Sequence, residues 1–372
     1  MNELIPPPDP LGIPSPPFLF DFLYILTFFL HVVFMNFILG GSIIVAIQEG
    51  FLARKETAIR ANGLLLRVMP VALSMAITMG VAPLLFVQVL YGQFFYTSNI
   101  ILGWFWMAIL GLAIAGFYFI YLQIARRPAE NASTPLTKSL AFLNALIFLF
   151  IAFLFTSNAV LVENTSHMPD LYTGKVSLFF FDSTILPRYL HNVLGALAVA
   201  GLWSAVIGRY HKRFHPEHAD TAAFLEKSGL WWATVPTALQ FIAGTAFLLS
   251  IGMDRLKLFM NGGILFWGWS LSILAALGAL VLMALALARP EKPKLLWLAV
   301  GHMAVTLAGM AMGRDLLRKI SLADTFSIQA LEVRASYSSL LLFLVTFVVG
   351  LLAVGYLVKL VWTLPSRPAG NG

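Results

Sequence analysis

Apolar stretches of roughly membrane-spanning length recur along the whole chain, separated by short polar breaks. Each stretch is long enough to cross ~30 Å of hydrocarbon at ~1.5 Å per residue. The pattern predicts an all-α fold, a polytopic membrane helical bundle of nine transmembrane helices that no soluble domain interrupts. The predicted spans are residues 18–48, 64–95, 100–125, 138–162, 187–209, 229–252, 263–288, 294–313 and 337–363, of which the eighth is short.

The charges in the polar breaks predict the orientation. If the N-terminus is outside, the inner loops and tail hold 16 of the 24 Lys and Arg residues, whereas the outer loops hold 10 of the 17 acids. Because cationic residues are enriched in cytoplasmic loops, we expect the C-terminus to be cytoplasmic. The chain then reads as one integral-membrane domain, 1–372, with an outer segment 1–17, a bundle 18–363 and a cytoplasmic tail 364–372. We expect it in a bacterial cytoplasmic membrane. The inner cations are Arg54, Lys55, Arg60, Arg67, Arg126, Arg127, Lys138, Arg209, Lys212, Arg213, Lys227, Arg289, Lys292, Lys294, Lys359 and Arg367.

Composition supports the membrane class and excludes several others. Hydrophobic residues make up 59% of the chain and charged residues 11%, whereas soluble domains carry about 25% charged residues. The formal charge of +7 reflects loop cations and gives no reason to expect a nucleic-acid partner. The absence of cysteine excludes disulfides and covalent CxxCH haem attachment. The proline-rich N-terminus lacks a basic region, so we expect the first helix to remain in the mature protein.

Three histidines, His31, His191 and His302, fall inside predicted spans. A side chain that can ionise or bind a metal is costly at that depth, which makes each a functional-site hypothesis. Small residues lie near each, among them Gly40 beside the face of His31 and Gly309 on the face of His302. They make room either for a flat macrocycle or for another helix. Three such histidines without a buried acid favour a metal-porphyrin, since imidazole is a usual ligand of haem iron.

The other histidines carry weaker signals. His211, His215 and His218 lie in a charged inner loop, where the spacing suggests a metal site. Without cysteine or a regular spacing of acids and histidines, a solvated loop is the favoured interpretation. We expect His167, in an outer loop, to be solvated as well, although it could contact a partner.

Four motifs in order resemble those of one known family. They are LHVVFMNFILGGSIIVAIQE around His31, MGVAPLLFVQVLYG at 79–92, LHNVLGALAVAGLWSAV around His191, and AMGRDLL at 311–317. Together they resemble subunit I of the cytochrome bd quinol oxidases, over most of the chain. The resemblance implies nine helices with the N-terminus outside, His31 as an axial ligand of a high-spin haem, and His191 as a ligand of a low-spin haem. Arg314, in the glycine-arginine signature, could pair with a haem propionate or anchor its helix at the headgroups.

The chain also departs from the family pattern. The family's long quinol-oxidising loop corresponds to the short IGMDRLKLFMNGG, and the methionine ligand early in helix seven has no counterpart in LFWGWSLSILAALG. No Asp or Glu occurs between Glu56 and Glu130, whereas the family carries acids in helix three. Helix eight offers no acid until Asp315, and His302 could substitute there as a ligand.

These departures favour electron transfer over oxygen reduction, which must bring protons to its site. The leading hypothesis is a haem b subunit of a respiratory electron-transfer complex, with one or two haems. His31 and His302, both near mid-membrane, would ligate one haem, and His191, nearer the outer face, another. An extracytoplasmic partner, plausibly a c-type cytochrome, or a quinone would exchange electrons with it. The alternatives are a haem-free scaffold subunit and an active bd-type terminal oxidase; if the chain is an enzyme, it is an oxidoreductase subunit.

Overall fold

The structure, a computed structural model, describes residues 4–51, 56–127, 133–179 and 181–363. Within these residues nine helices are long and apolar enough to cross a membrane, which confirms the predicted all-α bundle. Two shorter helices lie in the connections. In chain order the helices are α1 (Pro17–Phe51), α2 (Glu56–Leu102), α3 (Trp104–Ala125), α4 (Pro135–Glu163), α5 (Met168–Tyr172), α6 (Ile185–Phe214), α7 (Ala219–Ser250), α8 (Met253–Met260), α9 (Gly263–Ala288), α10 (Lys294–Leu322) and α11 (Tyr337–Thr363).

Several helices extend beyond the predicted apolar spans. α2 begins at Glu56, where an ion pair to Arg60 lies one turn inside the helix. It continues to Leu102 and bends at Tyr91, whose backbone is non-helical (φ −133°, ψ 28°). α10 has 29 residues, so the eighth span is not short. Both extensions carry charges: Glu56 and Arg60 of α2 are exposed, whereas Asp315 and Arg318 of α10 are buried.

In the centre of the bundle, glycines of one helix contact the backbone of the next helix directly. A Cβ built on Gly201 of α6 would lie 2.3 Å from the backbone nitrogen of Ala233 in α7. A Cβ on Gly40 of α1 would lie 2.1 Å from the carbonyl oxygen of Ala196 in α6. Glycine is therefore required for α6 to approach both α1 and α7 this closely.

A buried ion pair joins helices at one end of the bundle, which the charge bias predicts to face the cytoplasm and which we call the predicted inner end. Glu49 of α1 accepts hydrogen bonds from Arg127 Nη2 at 2.5 Å and from Asn62 Nδ2 at 3.1 Å. Ser133 also donates to Glu49. One carboxylate thus ties α1 to α2 and to the connection between α3 and α4.

At the opposite end, the predicted outer end, the segment before α1 pairs with the segment before α11. The Ile13 amide donates to the Glu332 carbonyl oxygen at 2.8 Å, and the Arg334 amide donates to the Ile13 carbonyl oxygen at 2.9 Å. Ile13 and Ile328 pack in one apolar cluster with Tyr24 and Tyr91. These two segments therefore cover the predicted outer end between α1, α2 and α10.

α11 is the least integrated span. None of the residues in its most apolar stretch is buried. The ring of Phe343 contacts that of Phe86 in α2, with 6.0 Å between the ring centres. The tail 364–372, with Arg367, and the cations Arg54 and Lys55 lie outside the described residues. The orientation of the termini remains a prediction.

Candidate functional site

His31 lies in a notch on α2. Its Nδ1 is 2.8 Å from the carbonyl oxygen of Ala76, and a Cβ on Gly80 would lie 2.9 Å from Nδ1 and Cε1 of the ring. A carbonyl oxygen only accepts hydrogen bonds, so Nδ1 carries the proton. This leaves Nε2 of His31 with a free lone pair, the arrangement usual for a histidine that binds a metal.

His191 faces a glycine of α7 in a similar way. A Cβ on Gly244 would lie 3.1 Å from its Cε1 and 3.2 Å from its Nδ1. The Nδ1 is buried and has no hydrogen-bond partner. Gln240, also on α7, donates to the backbone carbonyl oxygen of His191 at 2.8 Å. The imidazole of His191 is therefore a buried polar group with an unused nitrogen, which is costly unless something binds it.

His302 faces α9 instead. A Cβ on Gly278 would lie 2.6 Å from its Cδ2, and its Nδ1 lies 2.9 Å from the carbonyl oxygen of Leu298 on its own helix. The ring lines a groove of about 500 Å³ on the α9–α10 surface, beside the exposed side chains of Leu271 and Leu274. Its Nε2, like that of His31, is left free of the proton.

The rings of His31 and His302 pack against different helices. No hydrogen bond, ion pair or ring contact among the described residues joins them, since one ring lies on α2 and the other on α9. Two ligands of one haem lie on opposite faces of the macrocycle and do not touch each other, so the pairing of His31 with His302 stays a prediction. Helical periodicity shows which residues share a face, but not which neighbouring helix that face meets.

Several small residues near these histidines serve helix packing. Gly40 packs against the backbone of α6, as described above. A Cβ on Gly309 would lie 2.4 Å from the carbonyl oxygen of Gly268 in α9, and one on Gly313 would lie 2.4 Å from the ring of Trp269. Of the two interpretations left open by the sequence, helix contact is the one observed at these glycines. The glycines that face the imidazoles are on neighbouring helices.

Arg314 is directed at α1. Its guanidinium lies 4.1 Å from the centre of the Phe28 ring, and its Nη1 donates to the hydroxyl of Tyr24 at 3.4 Å. Phe28 is in turn 6.3 Å from the His31 ring, centre to centre. Arg314 therefore lies close to His31, within electrostatic range of it.

Sequence reasoning missed a buried ion pair beside His191. Arg188 Nη1 and Nη2 donate to the two carboxylate oxygens of Glu163 at 2.6 and 3.0 Å, and both residues are 5% exposed. Arg188 precedes His191 by one turn of α6. The expectation that no buried acid accompanies the histidines is therefore wrong. Glu163 falls one residue past the predicted span 138–162 and Arg188 at the start of the span 187–209, and their contact across the two helices accounts for the burial of both charges.

A second group of charges lies nearby on α10. Asp315 is fully buried, and Lys319 Nζ lies 2.9 Å from its Oδ2 and 2.8 Å from Asp21 Oδ2 of α1. Arg314 lies within electrostatic range of Arg188 as well as of His31. Charged groups of α6 and α10, which we call the charged layer, therefore lie beside His191 and His31.

The remaining histidines lie away from this layer. His211 is in the last turn of α6, and its ring lies 4.5 Å from that of His215 and 6.1 Å from that of His218. No group of three or more His, Cys, Asp or Glu side chains in the described part of the chain is arranged to hold a metal ion. His167 Nε2 lies 3.3 Å from the carboxylate of Asp182, so it is paired within the outer connection and is about one-third exposed.

Comparison with solved structures finds a chain of the same fold. A chain of the bd oxidase from Geobacillus thermodenitrificans superimposes with a TM-score of 0.72 at 11% sequence identity. The match covers 94% of this chain and 98% of that chain. No protein-family model matches, and no curated protein sequence matches. At this identity the likeness shows the fold: this membrane protein is built on the helical framework of a bd oxidase chain.

Proposed function

We propose that this chain is a haem b subunit of a membrane redox complex and passes electrons without reducing oxygen. The observation that carries the proposal is the state of His31. Its Nδ1 is committed to the Ala76 carbonyl oxygen, so its Nε2 is available to iron at membrane depth. The bd oxidase fold supports the proposal, as does the resemblance of the four motifs to subunit I of that family.

The donor chemistry of His31 and His191 fits a haem. His31 offers an oriented Nε2, and His191 has a buried nitrogen without a partner. A haem held at either position would supply one-electron chemistry. The chain would supply the rest: the Ala76 carbonyl fixes the ring of His31, and Gly80 and Gly244 let each imidazole lie flat against a neighbouring helix.

We infer that oxygen is not the substrate because the buried acids are committed to cations. Glu163 is held by Arg188, Asp315 by Lys319, and Glu49 by Arg127. α3 carries no acid at all. A proton route from the predicted inner end to His31 would have to use neutral groups such as Asn36 and Gln88, which do not store protons at neutral pH.

Electron exchange would take place at the predicted outer end. Arg188 lies in the first turn of α6 with His191 one turn further along, and the connection between α4 and α6 carries the Asp182–His167 pair. A c-type cytochrome on the outer face or a lipid-soluble quinone would be the redox partner, in a bacterial cytoplasmic membrane.

The test is a reduced-minus-oxidised spectrum of the purified chain with pyridine haemochrome quantitation. We expect a b-type signal that His31→Ala and His191→Ala each remove in part or whole. His302→Ala tests the remaining prediction that His302 is a ligand, since its ring lies in a different groove. A purified, folded chain without any b haem would disprove the proposal.

A haem-free scaffold is the second candidate, and the closed packing of the bundle favours it. Backbone contacts at Gly40 and Gly201 and ion pairs at both ends join the helices directly. In that case the histidine substitutions would alter assembly of the complex while the chain itself stayed colourless.

A further inference from the structure

Arg318 is a buried cation without a complete set of partners. It is 3% exposed, and its Nε and Nη1 make no hydrogen bond. Its guanidinium lies between two aromatic rings, 5.1 Å from the centre of Tyr24 and 5.0 Å from that of Tyr91. The rings provide a cation–π contact but no acceptor in the guanidinium plane. An unsatisfied buried guanidinium is costly, so an acceptor is expected there.

The charges around Arg318 make no hydrogen bond to its Nε or Nη1, although the carboxylate oxygens of Asp315 are also buried without a hydrogen-bond partner. Three cations, Arg314, Arg318 and Lys319, face two carboxylates, Asp21 and Asp315, which leaves one positive charge in excess. Lys319 contacts both of those carboxylates. Glu163 is also within electrostatic range of Arg318, but Arg188 occupies both of its oxygens.

Arg318 shares one face of α10 with a second guanidinium, that of Arg314. Arg314 and Arg318 are four residues apart, so their side chains are neighbours on that face, and both contact α1 through Phe28 or Tyr24. The hydroxyl of Tyr91 is also buried without a partner. It lies at the bend of α2, where the helix departs from regular geometry. Two guanidiniums and one phenol therefore converge on one small region.

This region is closed to the outer solution. The paired segments around Ile13 and 328–334 lie over it, and Ile13 and Ile328 pack in the same cluster as Tyr24 and Tyr91. The Tyr91 ring also packs 6.0 Å from that of Phe326. An acceptor for Arg318 would therefore be buried within the bundle and out of contact with bulk water.

We propose that Arg318, together with Arg314 and Tyr91, forms a carboxylate-binding site that receives a propionate arm of a haem held by His31. The inference rests on the proposed function. The arrangement fits the ligand. The Phe28 ring lies next to the His31 ring, and the guanidinium of Arg314 lies over Phe28. Arg318 is one turn further along α10. A carboxylate there would accept charge-assisted hydrogen bonds from the orphan nitrogens and balance the excess charge.

The test compares two forms of the cofactor. The full chain, produced in haem-deficient cells and purified in detergent, is titrated with haem b and with its dimethyl ester, whose propionates are neutral. We expect the chain to bind haem b at least about ten-fold more tightly than the ester, as for a charge-assisted contact. In Arg318→Gln we expect that preference to fall to about two-fold or less, with affinity for the ester unchanged.

Two further variants separate recognition from folding. Arg318→Lys keeps the charge and should restore part of the preference for haem b over the ester. Arg334→Gln removes an exposed guanidinium at the same end and should leave that preference unchanged. Equal binding of haem b and ester by the unmodified chain overturns this inference alone. A loss of affinity for both forms in Arg318→Gln also overturns it, because the role would then be structural. Failure of the unmodified chain to bind either form overturns the proposed function and this inference with it.

Discussion

Arg188 and Glu163 form a two-point ion pair that joins α6 to α4 one turn before His191, with both side chains almost fully buried. Such a pair is a weak source of net stability, because desolvating two charges offsets most of their attraction. Removing one partner is different, since the other charge is left buried and unpaired.

We therefore predict that Glu163→Gln and Arg188→Gln each lower the free energy of unfolding by about 3–5 kcal/mol. The double variant Glu163→Leu with Arg188→Met should recover most of that loss, as no uncompensated charge remains. The measurement is thermal unfolding in detergent, in which size-exclusion chromatography reports the fraction of folded protein that remains after heating. The control is Arg334→Gln, which breaks the exposed pair with Glu332 and should leave the melting temperature unchanged. A double variant as unstable as the sum of the singles would contradict the argument.

Two glycines that face imidazoles give a second prediction. An added Cβ at Gly80 or Gly244 would meet the ring of His31 or His191 at 2.9 or 3.1 Å, so Gly80→Ala and Gly244→Ala must displace that ring. If the histidines ligate haem, we expect each substitution to lower haem content or shift the α-band of the reduced spectrum. Gly350→Ala in α11, where nothing lies within 4 Å, is the matched control. Unchanged spectra in both variants would mean that the ring positions do not matter to the cofactor.

The contact between α6 and α7 leads to a stability prediction. Gly201→Leu and Gly208→Leu place side chains where backbone atoms of α7 lie within 2.6 Å of the added Cβ. We expect each to cost about 1–3 kcal/mol through overpacking, or to separate the two helices. Gly350→Leu adds the same side chain without a neighbour and should be tolerated. Cross-linking yields between cysteines introduced on α6 and α7 would report the separation, and unchanged yields with unchanged stability would disprove it.

The carboxylate of Asp182, which lies outside the membrane spans, leads us to predict that the stability of the protein depends on pH. Burial of the Asp182 carboxylate raises its pKa, but hydrogen bonds from the hydroxyl and amide of Thr184 and from Asn164 outweigh that effect, so its pKa is lowered. A carboxylate with a lowered folded pKa contributes stability that is fully present above its unfolded pKa of about 3.9. That contribution is lost as the pH falls through the lower, folded pKa.

We expect Asp182→Asn to melt about 2–4 °C below the unmodified chain at pH 6, with the gap closing as the pH approaches 3. Asp170→Asn, at the exposed pair with Lys175, should show no such gap. If the difference in melting temperature stayed constant from pH 6 to pH 3, the effect of Asp182→Asn would have a cause other than the charge of the carboxylate.

The nine spans could be predicted because hydropathy is local: each apolar run determines its own helix. The depth of α10 could not be predicted, because Arg318 and Asp315 end its apolar run in the sequence and become buried only where α1 and α2 cover them. For the same reason Glu163 reads as a loop acid until Arg188 is placed against it. His31 and His191 could be singled out from the sequence, but the helices that receive their rings could not, since these depend on how the helices pack against one another.

The contact between Asp21 and Lys319 has a consequence for how the protein is made. Its two residues are 298 positions apart, so at about 5–20 residues per second the ribosome needs roughly 15–60 s to supply the second after the first. Throughout that interval Asp21 and Tyr24 are at the edge of the membrane without the α10 side chains that surround them in the finished bundle. The outer end of α1 therefore reaches its final environment only after α10 has been made.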